Sequence, residues 1–316
     1  MEHRLKIENI LAAAEAIDPV FRRTPQYHAD SLSRLLGTKI LVKVETANPI
    51  RSFKGRGAEF LASKIPANTK LITASAGNFG QAMAYACARR GIELTIYASV
   101  NANALKLERM RALGATVVLH GDDFDAAKME AKRLAGAAGV RMVEDGLEPE
   151  TGEGAGTIGI ELAKGSDEID AVLLPLGNGA LTCGVGRYLK HARPEIRIVA
   201  IQAAGAPAML ESWKQKSVVT FDTMTTIADG IGVRIPIPEC VQDMEGIVDD
   251  GILVKDASLI EAMRLAHQHL GLVLEPSGAA GLAAILENRD RFAGRNVAIV
   301  LCGGNLTPEQ MKLWLS

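Results

Sequence analysis

Ser52-Phe53-Lys54-Gly55-Arg56-Gly57-Ala58 places one lysine among small residues and an aromatic, directly after the apolar run 39–45. A lysine on a solvated helix sits among other charges. This one stands at a strand-to-helix junction beside Gly55 and Gly57, where a backbone bare of side chains lets a ligand come close. A lysine amine withdrawn from water loses its charge more readily and condenses with an aldehyde. Taken alone, the stretch reads as an ordinary lysine near a helix N-terminus. Three glycine-rich loops change that reading.

Ser75-Ala76-Gly77-Asn78-Phe79-Gly80-Gln81 joins a strand pattern to a helix pattern. Its backbone N–H groups, with the helix N-terminus, suit an anion such as a substrate carboxylate; a plain turn capped by Asn78 is the alternative. Gly177-Asn178-Gly179-Ala180-Leu181 also follows a strand and opens a helix. Small residues there let several amides converge on a phosphate, with a tight turn again as the alternative. The pattern is neither GxGxxG nor GxxxxGK(S/T), which argues against dinucleotide and nucleoside triphosphate ligands. Cys302-Gly303-Gly304-Asn305 ends the last strand pattern. Cys302 is by default a small buried hydrophobe, but facing a ligand its thiol can give a weak hydrogen bond to a ring nitrogen.

These loops need strands to end and helices to begin. Runs rich in branched residues at 72–75, 93–98, 116–119 and 141–143 predict short strands, with helices over 81–90, 105–113 and 125–135. Nearly continuous apolar runs follow at 171–176, 197–201 and 296–301, with helices over 182–190, 257–270 and 278–287. Such runs suit strands buried on both faces. The alternation predicts an α/β protein of two closely packed, doubly wound domains with mainly parallel sheets. Ligands in such folds bind outside the carboxyl ends of the strands. A net charge of -2, without a basic stripe, argues against a nucleic-acid partner. No apolar stretch reaches membrane-spanning length, and the early charges Arg4, Lys6 and Glu8 are unlike a secretory signal. Cys87, Cys183, Cys240 and Cys302 show no CxxC spacing and no disulfide framework. A cytoplasmic protein acting on a small molecule is expected.

Together these stretches resemble the serine/threonine dehydratase family of pyridoxal phosphate (PLP) enzymes, whose fold type includes the tryptophan synthase β subunit. The resemblance runs nearly the whole chain, and Thr226-Ile227-Ala228-Asp229-Gly230 and Glu275-Pro276-Ser277-Gly278-Ala279 add to it. It implies PLP in a cleft between a large domain, 1–68 plus 144–316, and a small substrate-binding domain, 69–143. It also implies that Lys54 carries the cofactor, Phe53 lies against it, and Asn78 hydrogen-bonds its 3′-oxygen. Residues Gly177, Asn178, Gly179, Ala180 and Leu181 would hold the phosphate, and Cys302 would face the pyridine nitrogen. The amides of Ser75, Ala76, Gly77, Asn78 and Phe79 would take the substrate carboxylate. Glu275 lies near the active site in the family and receives no role. A homodimer is favoured by the same resemblance.

The implied activity is an ammonia-lyase converting a 3-hydroxy amino acid of the L-threonine or L-serine type to a 2-oxo acid and ammonia. Lys54, displaced by the incoming amino acid, is the natural base for the α-proton, and the cofactor phosphate is the expected acid for the leaving hydroxyl. A neutral thiol opposite the ring nitrogen favours elimination over transamination.

Departures from the family pattern sharpen this. Ala76 stands where related racemases have a second serine, so no base faces Lys54 and dehydration is favoured over racemisation. The segment Gln202-Ala203-Ala204-Gly205-Ala206-Pro207-Ala208 lacks the carboxylates of the family's divalent-cation site, so no metal is expected. Phe79 replaces a histidine, which makes an aromatic substrate such as phenylserine conceivable beside a plain packing role. A regulatory domain after the last helix is not expected. A racemase, a β-replacement synthase and a non-catalytic PLP-binding protein are the alternatives.

Overall fold

The computed structural model describes residues 3–165 and 168–316. In chain order its strands are β1 (Gln26–His28), β2 (Lys39–Val44), β3 (Lys70–Ala74), β4 (Glu93–Ala98) and β5 (Thr116–Leu119). They continue with β6 (Arg141–Met142), β7 (Ala171–Pro175), β8 (Arg197–Ala203), β9 (Asp250–Val254) and β10 (Asn296–Leu301). They form a six-stranded sheet of order β1-β2-β10-β7-β8-β9 and a four-stranded sheet of order β5-β4-β3-β6. Only β1 runs antiparallel, pairing with β2 at the edge. The α/β class and the mainly parallel sheets follow the sequence reading.

Residues of the large sheet alternate between two apolar clusters, as the two-residue strand period requires. Val297, Ile299 and Leu301 enter one cluster with Val42, Leu173 and Val199. Ala298 and Val300 enter the other with Leu41, Val172, Leu174 and Ile198. Both faces are therefore buried, which explains the continuous apolar runs. The small sheet packs Leu71, Leu94 and Ile96 against Ala82, Met83 and Ala86 of the helix Asn78–Arg89.

The helix Pro149–Lys164 has no counterpart in the sequence reading. Gly152, Gly154, Gly156 and Gly159 mask its pattern, since interior glycines oppose helices by about 1 kcal/mol each. Packing reverses that cost. A Cβ on Gly154 would lie 2.5 Å from the Arg56 carbonyl oxygen, and one on Gly57 2.5 Å from that of Thr151. The helix therefore touches the helix Lys54–Ser63 backbone to backbone. Gly55 and Gly57 thus make room for protein, not ligand: a Cβ on Gly55 would meet the Phe21 ring at 2.2 Å. Strands β1 and β9 were likewise unread, being short segments at the two sheet edges. No helix among the described residues is long and apolar enough to cross a membrane.

Candidate active site

The loops that leave the carboxyl ends of β2, β3, β7 and β10 meet around one cavity of about 350 Å³. Every site residue expected from the sequence lines it: Phe53, Lys54, Ser75, Ala76, Gly77, Asn78, Phe79, Gly177, Asn178, Gly179, Ala180, Leu181 and Cys302. Residues 229–233, Lys106, Asp145, Glu275 and Ser277 line it as well. Helices Lys54–Ser63, Asn78–Arg89 and Ala180–Ala192 begin at its wall, so their N-terminal partial charges favour anions inside.

Lys54 is the first residue of its helix, and its amine projects 5.0 Å from the Phe53 ring centroid. Both oxygens of Asp145 reach that amine, at 2.7 and 2.6 Å. The Phe53 amide donates to the Cys302 carbonyl at 3.0 Å, which ties the lysine turn to the end of β10.

At the start of the helix Asn78–Arg89, Gly77 rather than Asn78 occupies the cap position. Ser75 Oγ accepts the amides of Gly77 at 3.2 Å and Gly80 at 3.0 Å. The amides of Asn78 and Phe79 find no partner among the described residues and remain for an anion. Asn78 gives Nδ2 to Glu275 Oε1 at 2.7 Å and accepts at Oδ1 from Asn305 at 2.8 Å. Its side chain is thereby fixed, with one Nδ2 proton uncommitted. Phe79 is 4% exposed and belongs to the small sheet's apolar cluster, so packing accounts for most of its ring.

The loop after β7 supplies the most extended donor set. The backbone amides of residues 177–182 have no hydrogen-bond partner among the described residues, a run that buried structure leaves open only for a ligand or water. A Cβ on Gly177 would lie 2.4 Å from the Gly230 carbonyl oxygen, and Gly179 has φ of 89°. Both positions need glycine for the loop to take this cradle shape. Asn178 Nδ2 donates to the Asp145 carbonyl at 3.3 Å.

A thiol and a hydroxyl also line the cavity. Burial first, then Glu275, pushes the Cys302 thiol far above its ordinary range, so it is neutral. Its proton is directed to the Ser277 carbonyl at 3.6 Å. Ser277 Oγ is buried with no partner among the described residues, an orphan that an acceptor in the cavity would satisfy. Open amides, a glycine-shaped cradle, an orphan hydroxyl and a lysine amine fit a phosphorylated aromatic aldehyde.

Glu275, a buried residue, is pushed up to about 7 by desolvation and then by Asp229, against Lys106, the Asn305 amide and Asn78. Lys106 lies on the helix Ala104–Ala112 and pairs with Asp229, another residue of the cavity wall, at 2.8 Å. Burial works against the charge of Lys106, but Asp229 and Glu275 hold its amine above the ordinary value. The sequence reading missed Lys106 and Asp145. Neither belongs to a glycine loop, and only the fold brings them to the wall.

Comparison with known proteins agrees with this geometry. Residues 17–303 match the family model described as pyridoxal-phosphate dependent enzyme. The chain is 31% identical to the L-threonine ammonia-lyase of Thermotoga maritima, covering 96% of this chain and 76% of that one. It superposes on maize serine racemase with a TM-score of 0.91 at 30% identity, covering 98% of this chain and 95% of the other. Against the processed form of threonine deaminase isoform 2 from Solanum lycopersicum the TM-score is 0.90 at 28% identity, covering 97% and 90%.

Proposed function

This chain belongs to the pyridoxal-phosphate dependent enzymes, in their serine/threonine dehydratase group, and from that premise we propose that it is an ammonia-lyase. Its substrates are 3-hydroxy amino acids of the L-threonine or L-serine type, and its products a 2-oxo acid and ammonia. The observation that carries the reading is the Lys54 amine facing a cavity whose other walls present amides unpaired among the described residues.

PLP, when bound, supplies the electron sink that makes the α-proton of an amino acid labile. Lys54 would be its attachment point, and Phe53, Asn78 and the 177–181 loop would hold it, with the Cys302 thiol and the Ser277 hydroxyl available to its ring. A neutral hydroxyl or thiol there leaves the ring nitrogen without a carboxylate partner. The open amides of Ala76, Asn78 and Phe79 receive the substrate carboxylate and fix the α-carbon before Lys54, whereas those of Ser75 and Gly77, expected to share that role, are taken by the Tyr97 carbonyl and Ser75 Oγ. The freed Lys54 amine then takes the α-proton at Nζ. Residues 69–143 act as the smaller substrate-binding domain, and 1–68 with 144–316 as the larger cofactor-binding one.

Similarity to a serine racemase supports racemisation as the second reading. Ala76 argues against it, because a methyl group on the cavity wall can neither give nor take a proton. The test is release of 2-oxo acid and ammonia from L-serine, L-threonine, D-serine, 3-hydroxyaspartate and phenylserine. Release from L-serine or L-threonine is expected, and no release from any of them by a cofactor-loaded protein contradicts the reading. Lys54→Ala should abolish both the visible cofactor band and turnover.

A further inference from the structure

We propose that Asp145 is the acid that delivers a proton to the leaving hydroxyl. The proposal rests on the lyase reading above and adds to it a residue outside the glycine loops and the lysine turn. Among the carboxylates on the cavity wall, Glu275 accepts from Asn78 and from the Asn305 amide at its two oxygens. Asp229 is paired with Lys106. Asp145 alone of these three meets the amine of Lys54, with both oxygens within 2.7 Å. Its side chain is 26% exposed, open to the cavity yet held. Asn178 donates to its carbonyl. The next residue, Gly146, has φ of 88°, and a Cβ there would sit 2.7 Å from Asn178 Cβ and 3.0 Å from Cys240 Sγ. The carboxylate is therefore built into the phosphate-loop side of the site and is not a loose surface group.

Elimination requires two proton movements on adjacent carbons. Lys54 Nζ must approach the α-carbon, and the departing oxygen is only two bonds from that carbon. A carboxylate in contact with Nζ is thus near both. The α-C–H bond breaks with its proton moving to Nζ, and one ammonium proton passes to Asp145. The carbon electron pair forms the Cα=Cβ bond while the Cβ–O bond breaks, and the departing oxygen takes the Asp145 proton and leaves as water. Lys54 ends as an amine and Asp145 as a carboxylate, so the proton lost at the α-carbon is balanced by the one gained by the departing water. A carboxylic acid is a much stronger donor than an ammonium, which suits a leaving group as poor as hydroxide.

The test separates leaving groups by their need for a proton. In holoenzyme carrying Asp145→Asn, 2-oxo acid release from L-serine and L-threonine should fall about 10²–10⁴-fold, the span of general acid catalysis. β-Chloro-L-alanine, whose chloride departs unprotonated, should lose less than about tenfold on the same general-acid argument. Deuterium exchange at the α-carbon of L-alanine, followed by NMR, should persist with the visible cofactor band unchanged. Asp145→Glu should restore part of the serine activity. Equal losses with serine and chloroalanine, or no loss with either, would overturn the assignment. Poor folding of the asparagine variant is controlled by the glutamate one, whose serine-to-chloroalanine ratio must stay nearer the wild type. Wild-type release from serine or threonine tests the lyase reading, whereas the variant's leaving-group ratio tests Asp145.

Discussion

Replacing Arg56 by methionine should destabilise the fold beneath the lysine turn by about 3–5 kcal/mol, the range for breaking a buried ion pair. Arg56 lies two residues after Lys54 and is fully buried, with its guanidinium donating to Glu45, Glu161, Thr24 and Thr157. Lys43, itself buried, pairs with Glu161 at 2.5 Å. Two cations balance two carboxylates, so deleting Arg56 leaves the fully buried Glu45 without its partner. A second route gives a similar size. Burial opposes ionisation of Glu161, but Arg56 and then Lys43 hold it down from 4.5 to about 2. At about 1.4 kcal/mol per pH unit that fall represents about 3 kcal/mol. Because the folded carboxyl is depressed, this stability is complete above pH 4.5 and lost as pH falls towards about 2. At about 2.1 cal/mol/K per residue, 316 residues give a melting entropy near 0.7 kcal/mol/K, so Tm should drop by about 4–8 °C. The assay is thermal unfolding of the cofactor-free protein at neutral pH. The double variant Arg56→Met/Glu45→Leu should recover much of the loss, since both charges are then gone. A single variant melting within about 1 °C of wild type would show that the buried charges are not coupled in this way.

Other expectations concern the site itself. Gly177→Ala puts a methyl where 2.4 Å separates it from the Gly230 oxygen, so the loop must shift. PLP affinity, titrated by absorbance on the cofactor-free protein, should weaken at least about tenfold, or 1.4 kcal/mol, and unchanged affinity would remove the loop from the cradle. Glu275, raised to about 7, keeps its proton in the folded state, so its contribution is complete below 4.5 and lost as pH rises through about 7. Wild-type Tm should therefore decline between about pH 4.5 and about 7 and level off above. Glu275→Gln should flatten that decline, and an unaltered slope would show that another group titrates.

Much of this arrangement was legible because its signals are local. Apolar runs at 171–176 and 296–301 announce doubly buried strands, and the small-residue loops at 75–79 and 177–181 stand out against them. Two kinds of feature were not legible. The helix Pro149–Lys164 carries four glycines that only make sense once its neighbours' backbones press against it. Asp145 lies 91 positions from Lys54 in sequence and in no motif, so no spacing rule connects the two. Gly55 and Gly57 were read for the right trait, close approach, but the approaching atoms are those of Phe21 and Thr151. The motifs thus reveal where the ligand sits, while the proton traffic around Lys54 depends on long-range contacts.

Everything proposed for the site turns on Lys54 working in an elimination rather than an exchange of configuration. NMR of L-threonine with the holoenzyme in D2O, joined to chiral analysis of the residual amino acid, separates the two. Elimination predicts that 2-oxobutanoate and ammonia form in equal amounts, while the remaining threonine keeps its α-configuration. Epimerised threonine accumulating without 2-oxo acid would contradict it.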